Sequence, residues 1–461
     1  MPIEKIGSKN FQFGERGLNP SLLFIFLFGV VISLYQSGTP PVPLFLVRAS
    51  VLLALFLLPS CSLPGRLREP GVLFALYVIC VFSQVPFASA PWPALQWGIN
   101  VLVAGAFVLI ISSLAKERVI TWEKVKLFLA LIVFTEFAFQ LVQKVFSSVP
   151  RPAGTFFNPN FLGSFYSLVI LVFLSPYLTR GRARTRGAEA LLSAVVLLAA
   201  LSGLFLTRSR GATVALLAGL AVLFVSRFSW KGFFLLIALL LLLILLPNPV
   251  RERFASSSDV YSYARLNIYR TGLLVFGENP LGIGLGNFKY YYKEFALPVY
   301  GAVSLFGKKA KTLHSEHLQV LVEAGIVGAL IYLSLVLFLA VRLFSGRGKS
   351  EESTAGRSVF VAAMVHALVD SIYHSFPLVF LFLTVIIFAL RGKEGEWRRV
   401  RLRGISRFVV RGSILILLAY SLATCLSHYL LTASVSLAKR GEGGRSIAYA
   451  NAGLFLDPLS G

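Results

Sequence analysis

The chain has 461 residues, 56% of them hydrophobic and only 14% charged, with a formal charge of +24. That composition excludes a water-soluble globular core, because apolar runs of about 20 residues match the thickness of a bilayer. The positive charge does not call for a nucleic-acid partner: the basic residues lie mostly in short loops between apolar runs, where they set orientation and meet anionic headgroups of membrane lipids.

In chain order, spans are predicted at 20–35, 41–60, 71–88, 97–115, 122–144, 160–178, 188–206, 211–228, 230–247, 317–341, 358–373, 376–390 and 408–431. The expected fold is therefore an all-α polytopic membrane protein of 12–13 transmembrane helices. Numbered alternately from a cytoplasmic N-terminus, the inside loops carry clusters such as Arg180–Arg186 and Arg391–Arg411. The outside loops around Ser37, Pro91 and Ser375 carry no Lys or Arg. This asymmetry is the positive-inside rule, and it predicts a multi-pass protein of inner-membrane type. The first span lacks a small-residue cleavage site and reads as an anchor, not a signal peptide. Cys61, Cys80 and Cys425 lie far apart in apolar context and suggest neither a disulfide framework nor a metal site.

Three outside segments depart from the pattern. The loop Ser147–Asn160 carries Arg151 and the run Gly154-Thr-Phe-Phe-Asn158-Pro-Asn160. The turn Thr207-Arg208-Ser209-Arg210-Gly211 places two arginines on the side that the rule leaves poor in them. Residues 248–316 form the one long hydrophilic stretch, and it is net basic, with Arg251, Arg253, Arg265, Arg270 and several lysines. Basic residues gathered on the outer face suit an anionic ligand such as a phosphate or diphosphate, which a planar guanidinium grips in bidentate fashion. The alternative for any one of these arginines is snorkelling to lipid headgroups.

Polar residues inside spans are costly and point to function or pairing. Arg48 sits in the second span, and Glu136, Gln140 and Gln143 form a stripe near the outer end of the fifth. His366 and Asp370, four apart, are expected near the outer end of the eleventh. All fall in the outer half of the membrane, which predicts an outward-facing polar cavity. His314 and His317 stand at the start of the tenth span. An imidazole there suits proton acceptance from a hydroxyl near neutral pH. A metal pair lacks a third ligand at a zinc-like spacing, and a structural interfacial histidine is the remaining alternative. The run Gly282-Ile-Gly284-Leu-Gly286-Asn-Phe288 lacks the six-residue frame of a dinucleotide fingerprint, so its glycines are expected to make a sharp turn. The first outside loop has no acid and no D-x-D motif occurs, which disfavours acid- or metal-dependent lipid-sugar transferases.

Five motifs together resemble the O-antigen ligase and O-antigen polymerase superfamily, which includes bacterial O-linked protein oligosaccharyltransferases. They are Gly154-Thr-Phe-Phe-Asn-Pro-Asn160; Leu206-Thr-Arg-Ser-Arg-Gly-Ala212; Arg265-Leu-Asn-Ile-Tyr-Arg270 leading into Asn279–Phe288; His314–Gly325; and His366-Ala-Leu-Val-Asp370. The family-like core thus covers about 150–390. The resemblance implies essential groups at Arg210, Arg265 and His314. It departs from the usual pattern at Ser315, His317 and Tyr269, which leaves open whether His317 shares the proton work. It implies a GT-C-like, inverting, metal-independent transfer of a glycan from an undecaprenyl-diphosphate carrier on the periplasmic face, with no cofactor. The acceptor would be lipid A-core, a growing glycan or a protein. Arg151, Asn158, Asn160, Arg208, Arg270, His317, Asp370 and Arg48 complete the expected substrate-binding set. For His366 and Asp370 a hydrogen-bonded structural pair is the alternative. The rival function is a lipid-linked oligosaccharide transporter, for which matching halves and midplane polar sites would be expected. Residues 1–431 are expected to form the membrane domain, with 248–316 as its large periplasmic loop, and 432–461 a periplasmic tail that resembles part of a tetratricopeptide repeat.

Overall fold

A computed structural model describes residues 20–58, 60–179, 187–228, 231, 234, 260–296, 310–345, 350–391, 397–400 and 404–458. The protein is an all-α polytopic membrane protein. Among the described residues nine helices are long and apolar enough to cross a bilayer, and two shorter apolar helices, Pro41–Leu57 and Phe376–Leu390, join them. We number the helices α1 (Pro20–Leu34), α2 (Pro41–Leu57), α3 (Arg68–Gln84), α4 (Pro91–Lys116), α5 (Trp122–Phe146), α6 (Pro159–Leu178), α7 (Ala188–Thr207), α8 (Arg210–Phe228), α9 (Val260–Glu278), α10 (Phe288–Phe295), α11 (Glu316–Ser345), α12 (Glu351–Ala367), α13 (Phe376–Leu390), α14 (Gly404–Lys439) and α15 (Gly443–Leu456). Predicted and observed spans coincide within a few residues almost throughout. The predicted span 230–247 lies outside the described residues, apart from Lys231 and Phe234.

Local chemistry marks the helix starts. Proline occupies the first turn of α2, α4, α6 and α13, where its missing N–H costs nothing. The Asn158 side chain caps α6 by accepting from the N–H groups of Asn160 (2.8 Å) and Phe161 (3.1 Å). Helix α6 is apolar on every side and correspondingly central: Phe161 to Phe173 are all buried, against α7, α8 and α12. Helix α14 runs 36 residues without a break, or about 54 Å at 1.5 Å per residue, well beyond the hydrocarbon core. It continues past the expected boundary at 432, and α15 folds back along it, with Gly453 packed on Leu431.

The connecting segments fall at two ends of the bundle, as an alternating topology requires. At one end a two-stranded antiparallel sheet pairs Cys61–Pro64 with Trp397–Val400. Lys126 there meets Glu123, Glu189 and Glu351 at 2.8, 3.1 and 3.2 Å, and Arg342 pairs with Glu69 at 3.0 Å. At the other end lie the turns after α1, α3, α5, α7 and α12, together with α9 and α10. Two differences from expectation occur at this second end. Helix α12 stops at Ala367, so Asp370 sits in the turn before α13 and not on a helix face; its N–H still reaches back to the His366 carbonyl (3.0 Å). The stripe on α5 does not line open space but clamps the loop 152–155. Glu136 accepts from the Thr155 N–H (2.8 Å) and hydroxyl (2.5 Å), and Gln143 accepts from the N–H groups of Ala153 and Gly154. The cause is the same cost of burying polar groups in a membrane: the loop backbone and the stripe satisfy each other.

The glycine-rich run makes the sharp turn expected of it, and the turn is a docking device. Gly282, Gly284 and Gly286 all have positive φ. The segment lies along a break in α11, where Gly325 has φ 67°, and Gly284 donates to the Glu323 carbonyl (2.9 Å) while Ile326 donates to Pro280 (2.9 Å). The Glu323 carboxylate accepts from the N–H groups of Gly286 (2.8 Å) and Phe288 (3.0 Å). A Cβ on Gly325 would come within 2.2 Å of the Leu281 carbonyl group. Gly325→Ala, combining this clash with a left-handed backbone, should cost about 1–3 kcal/mol. The expected outcome is a lower melting midpoint of the detergent-solubilised protein and faster proteolysis within 279–296. An unchanged midpoint and cleavage rate would contradict this docking.

Candidate functional site

The end of the bundle that carries α9 and α10 gathers polar residues into a connected chain. Arg151, in the loop before α6, donates from Nε to the Thr207 carbonyl (2.9 Å) and from Nη2 to the Asn160 side-chain oxygen (2.6 Å). Asn160, in the first turn of α6, donates its amide to Asp370 Oδ2 (2.9 Å). Asp370 Oδ1 accepts from the Ser371 N–H (2.9 Å) and lies 3.5 Å from His314 Nδ1, at the outer limit of a hydrogen bond. The His314 side chain is 41% exposed and that of Asp370 only 5%. The imidazole is thus backed by a buried carboxylate on one edge and open on the other.

Burial by itself raises the Asp370 carboxyl pKa, but the hydrogen bond from His314 and the positive charge of the nearby histidines and Arg265 outweigh it and hold the group at about 2. Asp370 is therefore ionised at any physiological pH. Arg265, on α9, is close enough for its charge to act on both Asp370 and the Tyr269 hydroxyl one turn along. Arg210 opens α8. The adjacent Gly211 packs on the buried His366 ring, which a Cβ there would meet at 3.1 Å. Arg208 caps α7 in a left-handed conformation, φ 50°, and is exposed. The α7–α8 turn is tied to Arg151 through Thr207, so Arg151, Arg208 and Arg210 belong to one region. Among the described residues no three His, Cys, Asp or Glu side chains gather as a metal site.

Other residues in the predicted set stand apart or serve locally. Arg48 is buried, with bonds to the Asn100 side-chain oxygen (2.9 and 2.8 Å), the Gln96 carbonyl (2.9 Å) and the Gln96 side-chain oxygen, tying α2 to α4. Asn158 uses its side-chain oxygen as the α6 cap. Arg270 is exposed on α9. His317 has both ring nitrogens engaged, Nε2 with the Met364 carbonyl (3.1 Å) and Nδ1 with the Tyr332 hydroxyl (2.9 Å), which in turn meets Tyr373 (3.1 Å). A carbonyl only accepts, so Nε2 carries the proton and Nδ1 receives one from Tyr332. Of the two histidines at this helix start, His314 presents the more accessible nitrogen. His374, which the sequence did not single out, packs its ring at a tilt of 47° against Trp97, centroids 4.1 Å apart, and burial lowers its pKa to about 4, so it is neutral. Its one sequence signal is a position four residues after Asp370.

Comparison with known proteins gives one family. Residues 194–333 match the family model described as O-antigen ligase. That stretch contains Arg208, Arg210, Arg265, Arg270, His314 and His317, while Arg151, Asn158, Asn160 and Asp370 lie outside it. No curated protein matches the chain.

Asp370 is the carboxylate that faces His314 Nδ1. Asp370→Asn keeps the shape and removes the charge, and should lower turnover by about a hundredfold, within the range of acid–base contributions. Transfer assays on folded, purified variant at saturating donor check this, and wild-type turnover would contradict it.

Proposed function

We propose that this chain, which matches the O-antigen ligase family model over residues 194–333, is a GT-C-like glycosyltransferase of the bacterial inner membrane. It would move a glycan from an undecaprenyl-diphosphate carrier to an acceptor hydroxyl at the periplasmic face, with inversion and without a metal. The acceptor that best suits the ligase family is lipid A-core; a polymerase or a protein oligosaccharyltransferase would share the donor chemistry and differ in the acceptor. The observation that carries the reading is the half-exposed His314 backed by the ionised, buried Asp370, with Arg265 close by and Arg210 next in sequence to the Gly211 that packs on His366.

In this reading the carrier lipid reaches the site laterally from the bilayer. The acceptor oxygen attacks the anomeric carbon from the face opposite the diphosphate, and the bond from that carbon to the phosphate oxygen breaks. Its electron pair leaves with the polyprenyl diphosphate, and the hydroxyl proton passes to His314 Nε2. Asp370, on Nδ1, fixes the tautomer that leaves Nε2 with its lone pair and stabilises the imidazolium that forms. Arg210 and Arg265 hold the diphosphate and offset the charge growing on it, which is the role a divalent cation fills in other transferases. Arg151, Asn160, Arg208 and Arg270 line the approach, whereas Arg48 and Asn158 support it through helix α4 and the α6 cap.

A transporter would bind the same carrier but needs no base, so the reading is tested by transfer with a polyprenyl-diphosphate glycan donor. His314→Ala should lower turnover by roughly 10²–10⁴ while donor binding stays nearly intact. Arg210→Ala and Arg265→Ala should each cost about a hundredfold to a thousandfold, and Arg210→Lys should not rescue fully, because a point charge does not replace a bidentate fork. All activity should survive excess EDTA. Near wild-type transfer by both His314→Ala and Arg210→Ala would defeat the catalytic assignment in favour of transport, and loss in EDTA with rescue by magnesium would move the protein to a metal-dependent class.

A further inference from the structure

His314 adopts a left-handed backbone, φ 51°. A residue with a Cβ is disfavoured there and persists only where its surroundings hold it. Its neighbours are fixed by α9 and α11. Leu313 donates its N–H to the Gln319 side-chain oxygen (2.7 Å) and is wedged beneath Gly272 of α9, where an added Cβ would fall 2.3 Å from the Leu313 side chain. Ser315 accepts from the Leu318 N–H at 3.5 Å. The bond onto the peptide of His314 itself comes from Tyr269, whose hydroxyl donates to the His314 carbonyl at 3.1 Å.

Tyr269 lies four residues after Arg265 and three before Gly272, so the three share one face of α9. That face brings the cation towards Asp370, the hydroxyl to His314 and the close-packing glycine to Leu313. Ile268 and Val275 of the same helix pack with Leu313, Phe288 and Val322 in one apolar cluster, which makes α9 a rigid support for this contact and not a mobile arm. Burial raises the Tyr269 pKa, so its hydroxyl keeps its proton and remains a donor.

We propose that Tyr269 is a positioning residue for the transfer reaction, pinning the strained His314 peptide so that the ring keeps Nδ1 on Asp370 and Nε2 towards the acceptor. This rests on the proposed role of His314 and adds to it a device that sets the aim of the base. Loss of the hydroxyl frees the peptide to relax and turns the ring away, which lowers the rate of the chemical step without touching the diphosphate site.

The test is a double-mutant cycle with Tyr269→Phe and His314→Ala, measured as kcat and KM for a polyprenyl-diphosphate glycan in single and multiple turnover. Tyr269→Phe should reduce kcat by about tenfold, the scale expected of a small misplacement of a reacting group, with KM for the donor unchanged. In the His314→Ala background the same change should have no further effect, because the pair acts as one unit. Tyr269→Trp, which restores an N–H donor on a flat ring, should recover part of kcat and guards against a folding artefact in the Phe variant. Wild-type kcat in Tyr269→Phe, or the same loss in both backgrounds, would overturn the inference. Full activity of His314→Ala would instead overturn the catalytic reading beneath it.

Discussion

A buried carboxylate in a membrane protein has to be neutralised by donors, and Asp370 draws its donors from three separate segments of the chain. The Asn160 amide arrives from the first turn of α6, the His314 imidazole from the stretch before α11, and the Ser371 N–H from the turn after α12. Two of these are anchored in turn. Asn160 is held by Arg151, whose loop is clamped by Glu136 and Gln143 of α5. His314 is held by Tyr269 of α9. Taking away the charge would leave donors from three segments of the chain without their common charged acceptor, which in a low-dielectric setting is far more costly than the loss of any one bond.

The two ends of the bundle use charge differently. At the sheet-bearing end, acids and bases neutralise one another: Lys126 among three glutamates, Arg342 with Glu69, Arg391 with Glu352 at 3.6 Å. These contacts fix helix ends and suit a purely architectural role. At the other end Arg151 reaches the Thr207 carbonyl and the Asn160 amide oxygen, and the Asp370 carboxylate stands against the half-exposed His314 imidazole. Under the proposed function, that carboxylate–imidazole pair would serve an attacking hydroxyl.

Much of this was legible in the chain itself, and the exceptions share a cause. Bilayer thickness imposes a length on every span, so α1 to α8 and α11 to α14 could be placed from apolar runs alone, and the proline and Asn158 starts fixed several ends. The arginines of the α7–α8 turn stood out because they break the charge asymmetry of the loops. Partners distant in sequence did not. Glu136, Gln140 and Gln143 were placed on one face correctly, but nothing local says that the face is filled by residues 152–155. Arg48 gave no hint that Gln96 and Asn100, about fifty residues on, would absorb its donors. Asp370 was expected on a helix because His366 precedes it by one turn, whereas the carboxylate finds its donors only if the helix ends first. Tyr269 appeared as a mere departure from a pattern, since a hydroxyl aimed at a backbone carbonyl leaves no trace in sequence spacing.

The central claim is that Arg210, Arg265 and His314 form one site for a lipid diphosphate and its acceptor. A structure of the protein in lipid nanodiscs with a polyprenyl diphosphate bound tests it most directly. The account predicts diphosphate density at the end of the bundle that carries α9 and α10, within hydrogen-bond reach of Arg210 and Arg265, with His314 Nε2 facing the space beside it. Diphosphate bound at the bundle midplane, or at the end that carries Lys126 and the two-stranded sheet, would contradict it.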